Sequence, residues 1–309
     1  MGLIFNEMVV RDYRAGFCSC SFFLCLMFSL VVIIVPFFLA ISTNGFWSSA
    51  LIYKEQPIVL YNNEVVVTTL SSSQSISNSQ LKTSLSSGLF STIGWLNDLH
   101  SSTLDIIDIQ STIIDSNADQ KPDLYIFNFT IYKSPISLKN LKIFIQFEYI
   151  LRERINLDMT GIALADVSLP NGASEVYIDG DLRFKQRNPL KSAKVVRKEY
   201  NESVFKQDRP VDNLWERTLL RYYDRNETLV YNFDYSTKAA GDGLKVKVNL
   251  VVRIPTYETV VYQPLFIQNL KFAWIQYLSL LIPLWYLVSS FAHYVFSQQI
   301  FETSVKTAR

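Results

Sequence analysis

The sequence predicts a membrane protein, mainly β, in which two transmembrane helices flank a β-sandwich-like extracytosolic domain. Three observations carry that expectation. Two long runs, 15–53 and 272–301, contain no Asp, Glu, Lys or Arg. Between them, several segments run apolar or alternate at period two, with β-branched and aromatic enrichment. Stretches rich in Asn, Asp, Gly and Ser punctuate those segments and supply turn signals.

Residues 1–21 form a short N-terminal segment. Residues 22–41 (FFLCLMFSLVVIIVPFFLAI) follow, and 15 of the 20 are Leu, Ile, Val or Phe. As a helix they span about 30 Å, the thickness of a bilayer's hydrocarbon core. Ala40-Ile41-Ser42 resembles a small-x-small cleavage site. Against cleavage, Glu7 and Asp12 precede the run and its apolar core is long for a signal peptide, so a retained anchor is expected. The three cysteines, Cys18, Cys20 and Cys25, sit at its start. They are open to palmitoylation, or are simply small residues beside a span.

Residues 42–271 hold 25 Lys+Arg against 25 Asp+Glu and no cysteine. The balance gives no electrostatic reason to expect nucleic acid, and packing rather than disulfides must stabilise the domain. Residues 124–132, 141–149 and 244–254 read as strands. Residues 176–178 and 182–184 flank Asp179-Gly180, expected as a tight hairpin turn, and 58–61 and 64–70 flank Asn62-Asn63 in the same manner. Residues 71–91 carry 10 serines in 21 positions and read as a mobile loop. Weak helical stripes occur at 89–99 and 211–223. Short strands with turn signals suggest an antiparallel sandwich.

Residues 272–296 form the second span and 297–309 a tail. Arg11, Arg14, Lys306 and Arg309 flank the spans on one side, against Lys54, Arg253 and Lys271 on the other, so both termini are expected in the cytosol. Trp47, Lys271, Trp274 and Tyr277 are expected in one headgroup layer of the lipid bilayer. Gln276, one turn further in, should face a helix rather than acyl chains.

Candidate chemistry is sparse. The two histidines, His100 and His293, lie far from the cysteines, so no Cys/His zinc cluster is expected. Asp179 and Asp181 could form the Asp-x-Asp metal site of a nucleotide-sugar transferase, but a hairpin turn explains the same residues without a phosphate loop. Asp115, Asn117, Asp119 and Asp123 place oxygens at relative positions 1, 3, 5 and 9 of a calcium (Ca2+) loop. Gln120 stands where the sharp turn expects Gly, and Ile126 where a bidentate Glu would sit; a plain polar turn fits too. Asn128, Asn201 and Asn226 each open an N-glycosylation sequon, as in a glycoprotein.

Tyr13-Arg14-Ala15-Gly16, Gly45-Phe46-Trp47 and Glu55-Gln56-Pro57 resemble the transmembrane protein 231 family. So do Tyr177-Ile178-Asp179-Gly180-Asp181-Leu182-Arg183, Tyr262-Gln263-Pro264 and Lys271-Phe272-Ala273-Trp274-Ile275-Gln276-Tyr277. The motifs occur in order along nearly the whole chain; 71–91 and 191–240 match poorly. The resemblance implies two spans, a large non-cytosolic domain and cytosolic termini. It implies a place in the ciliary membrane at the cilium base, in the transition zone, within a tectonic-like complex. Its partners there would be tectonic proteins and other Meckel-syndrome-type transition-zone membrane proteins. The function implied is that of a non-enzymatic scaffold in the diffusion barrier controlling ciliary membrane composition and in cilium assembly. The family often shows Asp-x-Asn-x-Asp-Gly-x-x-Asp at 115–123, where this chain has Gln120 in place of Gly. Two other classes remain open to the residues: a subunit of a channel or transporter assembly, and a membrane-anchored metal-dependent glycosyltransferase.

Overall fold

A computed structural model describes residues 11–14, 19–43, 48–77, 80–132, 137–192, 196–206, 214–239, 245–301 and 304–307. Along the chain run β1 (Arg11–Arg14), α1 (Cys20–Ser42), β2 (Leu51–Glu55), β3 (Ile58–Ser77), β4 (Gln80–Ser91) and α2 (Gly94–Leu99). After a 3₁₀ turn at Ser101–Thr103 come β5 (Ile106–Ile114), β6 (Leu124–Tyr132), β7 (Ser137–Leu151), β8 (Leu157–Ser168) and β9 (Ala173–Gln186). The remainder comprises β10 (Leu190–Lys191), β11 (Arg197–Tyr200), α3 (Leu214–Asp224), β12 (Glu227–Ala239), β13 (Lys245–Arg253), β14 (Glu258–Gln263), α4 (Phe266–Ser297) and β15 (Ser304–Thr307). Two compact units result, Met1–Ser49 with Pro264–Arg309, and Ala50–Gln263.

The first unit is a helical hairpin. Both α1 and α4 are long and apolar enough to cross a membrane. At 23 and 32 residues they extend to about 34 and 48 Å. The second starts at Phe266, earlier than the apolar run alone indicates, because its first turns also carry Gln268, Asn269 and Lys271. Before α1 and after α4, β1 and β15 pair antiparallel, Arg11 opposite Thr307. The two ends of this unit therefore meet on one side of the helix pair.

The second unit is a sandwich of two five-stranded sheets, ordered β11-β8-β7-β3-β4 and β12-β9-β13-β6-β5, with a three-stranded sheet β10-β14-β2. Its sheets are mixed rather than purely antiparallel, since β13 runs parallel to β9 and β11 parallel to β8. One core joins the two large sheets. Val67, Ile143, Ile145 and Phe147 come from one, Phe127, Phe129, Val248 and Leu250 from the other, and all are buried. Each large apolar side chain so buried contributes roughly 1.5–3 kcal/mol. Tyr61 meets Phe127 edge-on across the sheets at 5.0 Å, and the Tyr125 hydroxyl donates to Val59 O at 2.9 Å.

Three local expectations are corrected. Asp179-Gly180 is not a hairpin turn: β9 runs straight through it, paired with β12 on one side and β13 on the other. Gly180 is needed for closeness instead, because a Cβ there would lie 2.3 Å from Asn232 O and 2.7 Å from Phe233 Cα. Asn62-Asn63 is likewise no hairpin but a bulge inside β3, where the register against β7 shifts between Tyr61 and Val65. Asn63 takes φ 63° there, and the Asn62 Oδ1 accepts from Glu64 N at 3.1 Å. Finally, the serine-rich stretch is strand, not loop: β3 and β4 pair from Val66–Ser91 out to Ser77–Gln80. A backbone ladder needs no apolar side chains, so serines can extend a hairpin whose root is already anchored.

Of the two weak helical stripes, 94–99 and 214–224 are helical, whereas 89–91 belongs to β4. Both helices cover the outer face of the β3–β7–β8 sheet. There Val66, Leu89, Phe144, Ile162 and Tyr222 form a second apolar cluster with Leu96 and Phe205.

Candidate functional site: the helix pair and the polar faces of the sandwich

In the helix pair, much of what is buried is small: Pro36 and Ala40 on α1, Ala273 with Asn269 on α4. Small residues let helix backbones approach closely in lipid. At the other end the Phe28 and Phe291 rings meet edge-on at 5.7 Å. Pro36 lacks an N–H and crowds the carbonyls of the preceding turn. In that turn Ile33 O accepts the Tyr277 hydroxyl at 3.3 Å. This bond ties α4 to α1 beside the proline, and Trp274 lies 6.0 Å from Tyr277. Lys271 and Trp274 are exposed; Trp47 lies outside the described residues. Gln276 is half-buried, with its amide oxygen, like those of Gln268 and Asn269, buried without a donor. Cys20 and Cys25 are free and exposed, and Cys18 is outside the described residues.

The four oxygen-bearing residues of the 115–123 turn lie in the connection between β5 and β6, and most of their hydrogen bonds go to backbone N–H groups of the loop itself. Asp115 Oδ2 accepts from Gln120 N at 2.9 Å, Asp123 Oδ2 from Ser116 N at 2.9 Å, and Asp119 Oδ1 from Lys121 N at 2.8 Å. The Asn117 amide donates to Asp119 Oδ2 at 3.0 Å. Gln120 adopts φ 67°, the left-handed conformation that a glycine at this position would supply without strain. Among the described residues no group of three or more His, Cys, Asp or Glu is arranged to hold a metal ion.

Asn128 and Asn201 are exposed. Asn226 is engaged: its Oδ1 accepts from Asn188 N at 2.9 Å and its Nδ2 donates to Glu227 Oε1 at 2.8 Å. A glycan would replace one of the two hydrogens of that nitrogen, which bonds to Glu227 Oε1 and to Asn188 O.

Asp179 and Asp181 stand on the outward face of β9, each held by an arginine. Arg253 grips Asp179 with two bonds of 2.8 Å, and Arg183 reaches Asp181 at 2.9 Å. The bond from Arg253 holds the Asp179 carboxyl below its usual range. These carboxylates are neutralised in pairs. His100 caps α2, and His293 lies within α4, remote from any described cysteine in sequence.

Buried acidity was not legible in the sequence. Glu55 and Glu258 face each other across β2 and β14, both buried. Glu55 Oε1 accepts from the N–H groups of Arg152 and Glu153 and its Oε2 from the Tyr53 hydroxyl at 3.0 Å. Glu258 Oε2 and the Tyr149 hydroxyl are buried without partners. Burial raises the Glu258 carboxyl above its usual range, and pushes the Tyr149 phenol far up, with the Glu258 and Glu55 charges adding to it. Alternating hydrophobicity marks β14 as a strand but says nothing of which carboxylate it meets.

An apolar helical hairpin joined in sequence to a β-sandwich defines a membrane protein with two candidate spans and a large domain between them. The family model described as Transmembrane protein 231 matches residues 1–305. The chain belongs to that family. Among its relatives, the human Transmembrane protein 231 is 29% identical over 307 residues, covering 97% of this chain and 93% of the human one. The Xenopus tropicalis protein of the same name is 29% identical, with 97% and 94% covered, and the mouse protein 28% identical, with 99% and 95% covered.

Proposed function

We propose that this chain is a non-enzymatic scaffold of the ciliary transition zone, contributing to the diffusion barrier at the cilium base and to cilium assembly. Both termini lie in the cytosol and the sandwich on the other side of the membrane. Its partners are tectonic proteins and other Meckel-syndrome-type membrane proteins. The observation that carries the reading is the family match across residues 1–305, which takes in both helices and the whole sandwich. A second observation weighs against the transferase alternative: Asp179 and Asp181 are paired with arginines and offer no free carboxylate pair to a metal.

The test is rescue in ciliated cells that lack the protein. The intact chain is expected to concentrate at the ciliary base and to stop leakage of membrane proteins across it. Asp179→Ala with Asp181→Ala is expected to rescue as well as the intact chain. Residence in the Golgi, with transferase activity lost in that double variant, would sink the scaffold reading. For the topology, cysteines placed beside Arg11 and Lys306 should resist a membrane-impermeant thiol reagent in intact cells, while Ser116→Cys should react.

A further inference from the structure

A cavity of about 620 Å³ opens on the outer face of the β4–β3–β7 sheet, within the size range of small-molecule sites. Two cross-strand rows make its floor: Asn140, Leu70 and Ser87 in one, Lys142, Thr68 and Leu89 in the next. His100 and Thr103 stand on one flank, Trp215 and Leu219 of α3 on the other. Where the following row begins, the apolar cluster around Val66 and Phe144 closes the sheet face.

The chemistry of this lining is specific. Trp215 is held in place, stacked on Phe144 at 5.4 Å and met edge-on by Phe205 at 6.2 Å. It is a rigid aromatic wall at the end of a floor bearing hydroxyls and an amide. Charge is largely cancelled: Lys142 pairs with Asp166 at 2.8 Å, and the Asn140 amide donates to the same carboxylate at 3.0 Å. A site with an aromatic wall, neutral hydrogen-bonding groups and its one lysine paired suits a ligand that is apolar on one face and hydroxylated around its edge. We propose that the cavity binds a neutral pyranoside sugar. The ring's C–H face packs on Trp215, and its hydroxyls bond to Thr68, Ser87 and Asn140. The inference stands on the cavity alone and does not require the ciliary reading.

The experiment is saturation-transfer NMR on the full chain in lipid nanodiscs, which avoids glycoside detergents that would compete. The probes are methyl glucoside, galactoside and mannoside, N-acetylglucosamine, and glucuronate as an anionic comparison. At least one neutral sugar is expected to receive saturation on its ring protons. Thr68→Val keeps side-chain shape and should weaken binding ~5-fold; Trp215→Leu should weaken it ~10-fold or more. An unchanged melting temperature in Thr68→Val separates loss of a bond from loss of fold. No saturation of any sugar overturns the proposal, as does preference for glucuronate over every neutral probe. Binding insensitive to Thr68→Val also overturns it.

Discussion

Tyr222→Phe deletes one oxygen and should destabilise the sandwich by about 2–5 kcal/mol. That oxygen is fully buried. It accepts from Ile162 N at 3.2 Å and Leu229 N at 2.7 Å, and donates to Leu229 O at 3.0 Å. In this way one side chain of α3 caps the backbone of β12, an edge strand, and ties it to β8 of the opposite sheet. Removing the hydroxyl leaves two N–H groups and a carbonyl without their partner at roughly 1–3 kcal/mol each, about 3–9 in all, and the relief from burying the phenol oxygen itself offsets part of this to leave about 2–5. For a domain of this size that corresponds to a fall of about 5–15 °C in Tm. Burial pushes the Tyr222 phenol up to about 12, so it stays protonated and the loss should be the same at pH 6 and pH 8. The control is Tyr149→Phe, which deletes the same atom from a buried tyrosine whose hydroxyl has no partner. That change should be neutral or stabilise by ~1 kcal/mol, because only a desolvated orphan is lost. Thermal melts of both variants in nanodiscs read the contrast. Equal shifts would refute the reasoning, since the hydrogen bonds would then carry no weight.

Three further outcomes are expected. Glu258 is held protonated more readily in the fold than in the unfolded chain, so the folded state binds the extra proton and its stability declines as pH rises above the ordinary carboxylate value; Glu258→Gln should flatten that decline and raise Tm at pH 7.5. Gly180→Ala places a Cβ against backbone atoms of β12 that cannot swing aside, costing ~3 kcal/mol or more, and a variant that melts with the parent would contradict the straight strand. Melting curves with calcium and with chelator should coincide, because Asp115, Asp119 and Asp123 each accept a backbone N–H of their own loop; a rise of several degrees with calcium would instead support a metal site in that turn.

Two of the departures from expectation have a common cause. Around Asp179-Gly180 the apolar residues Val176, Ile178, Leu182 and Phe184 keep one parity, and all are buried. A two-residue turn would have put Asp181 and Arg183 on the face of Ile178, so the parity itself argued for a continuous strand. Val59, Val65 and Val67 keep one parity across Asn62-Asn63 in the same way and share one core. The dipeptides looked like turns because turn propensity is local, whereas a strand between two neighbours is decided by both ladders together. For 71–91 no such signal existed: serine neither alternates in hydropathy nor favours strand, and the pairing follows from the anchored root at Val66–Ser91.

By itself the sequence determined the two long apolar helices and the β class of the domain between them. Those properties follow from hydrophobic period and length, which neighbours in the chain express directly. Tertiary structure alone decided the mixed strand order, the pairing of Asp179 with Arg253 and of Glu55 with Glu258, and the three bonds of Tyr222. It also decided the floor of the cavity under Trp215, assembled from β3, β4 and β7. Each joins groups far apart in sequence, and such partners are chosen by which strand edges and faces come to rest together. No local pattern encodes that choice, because period two states which face a residue takes and not what lies opposite it.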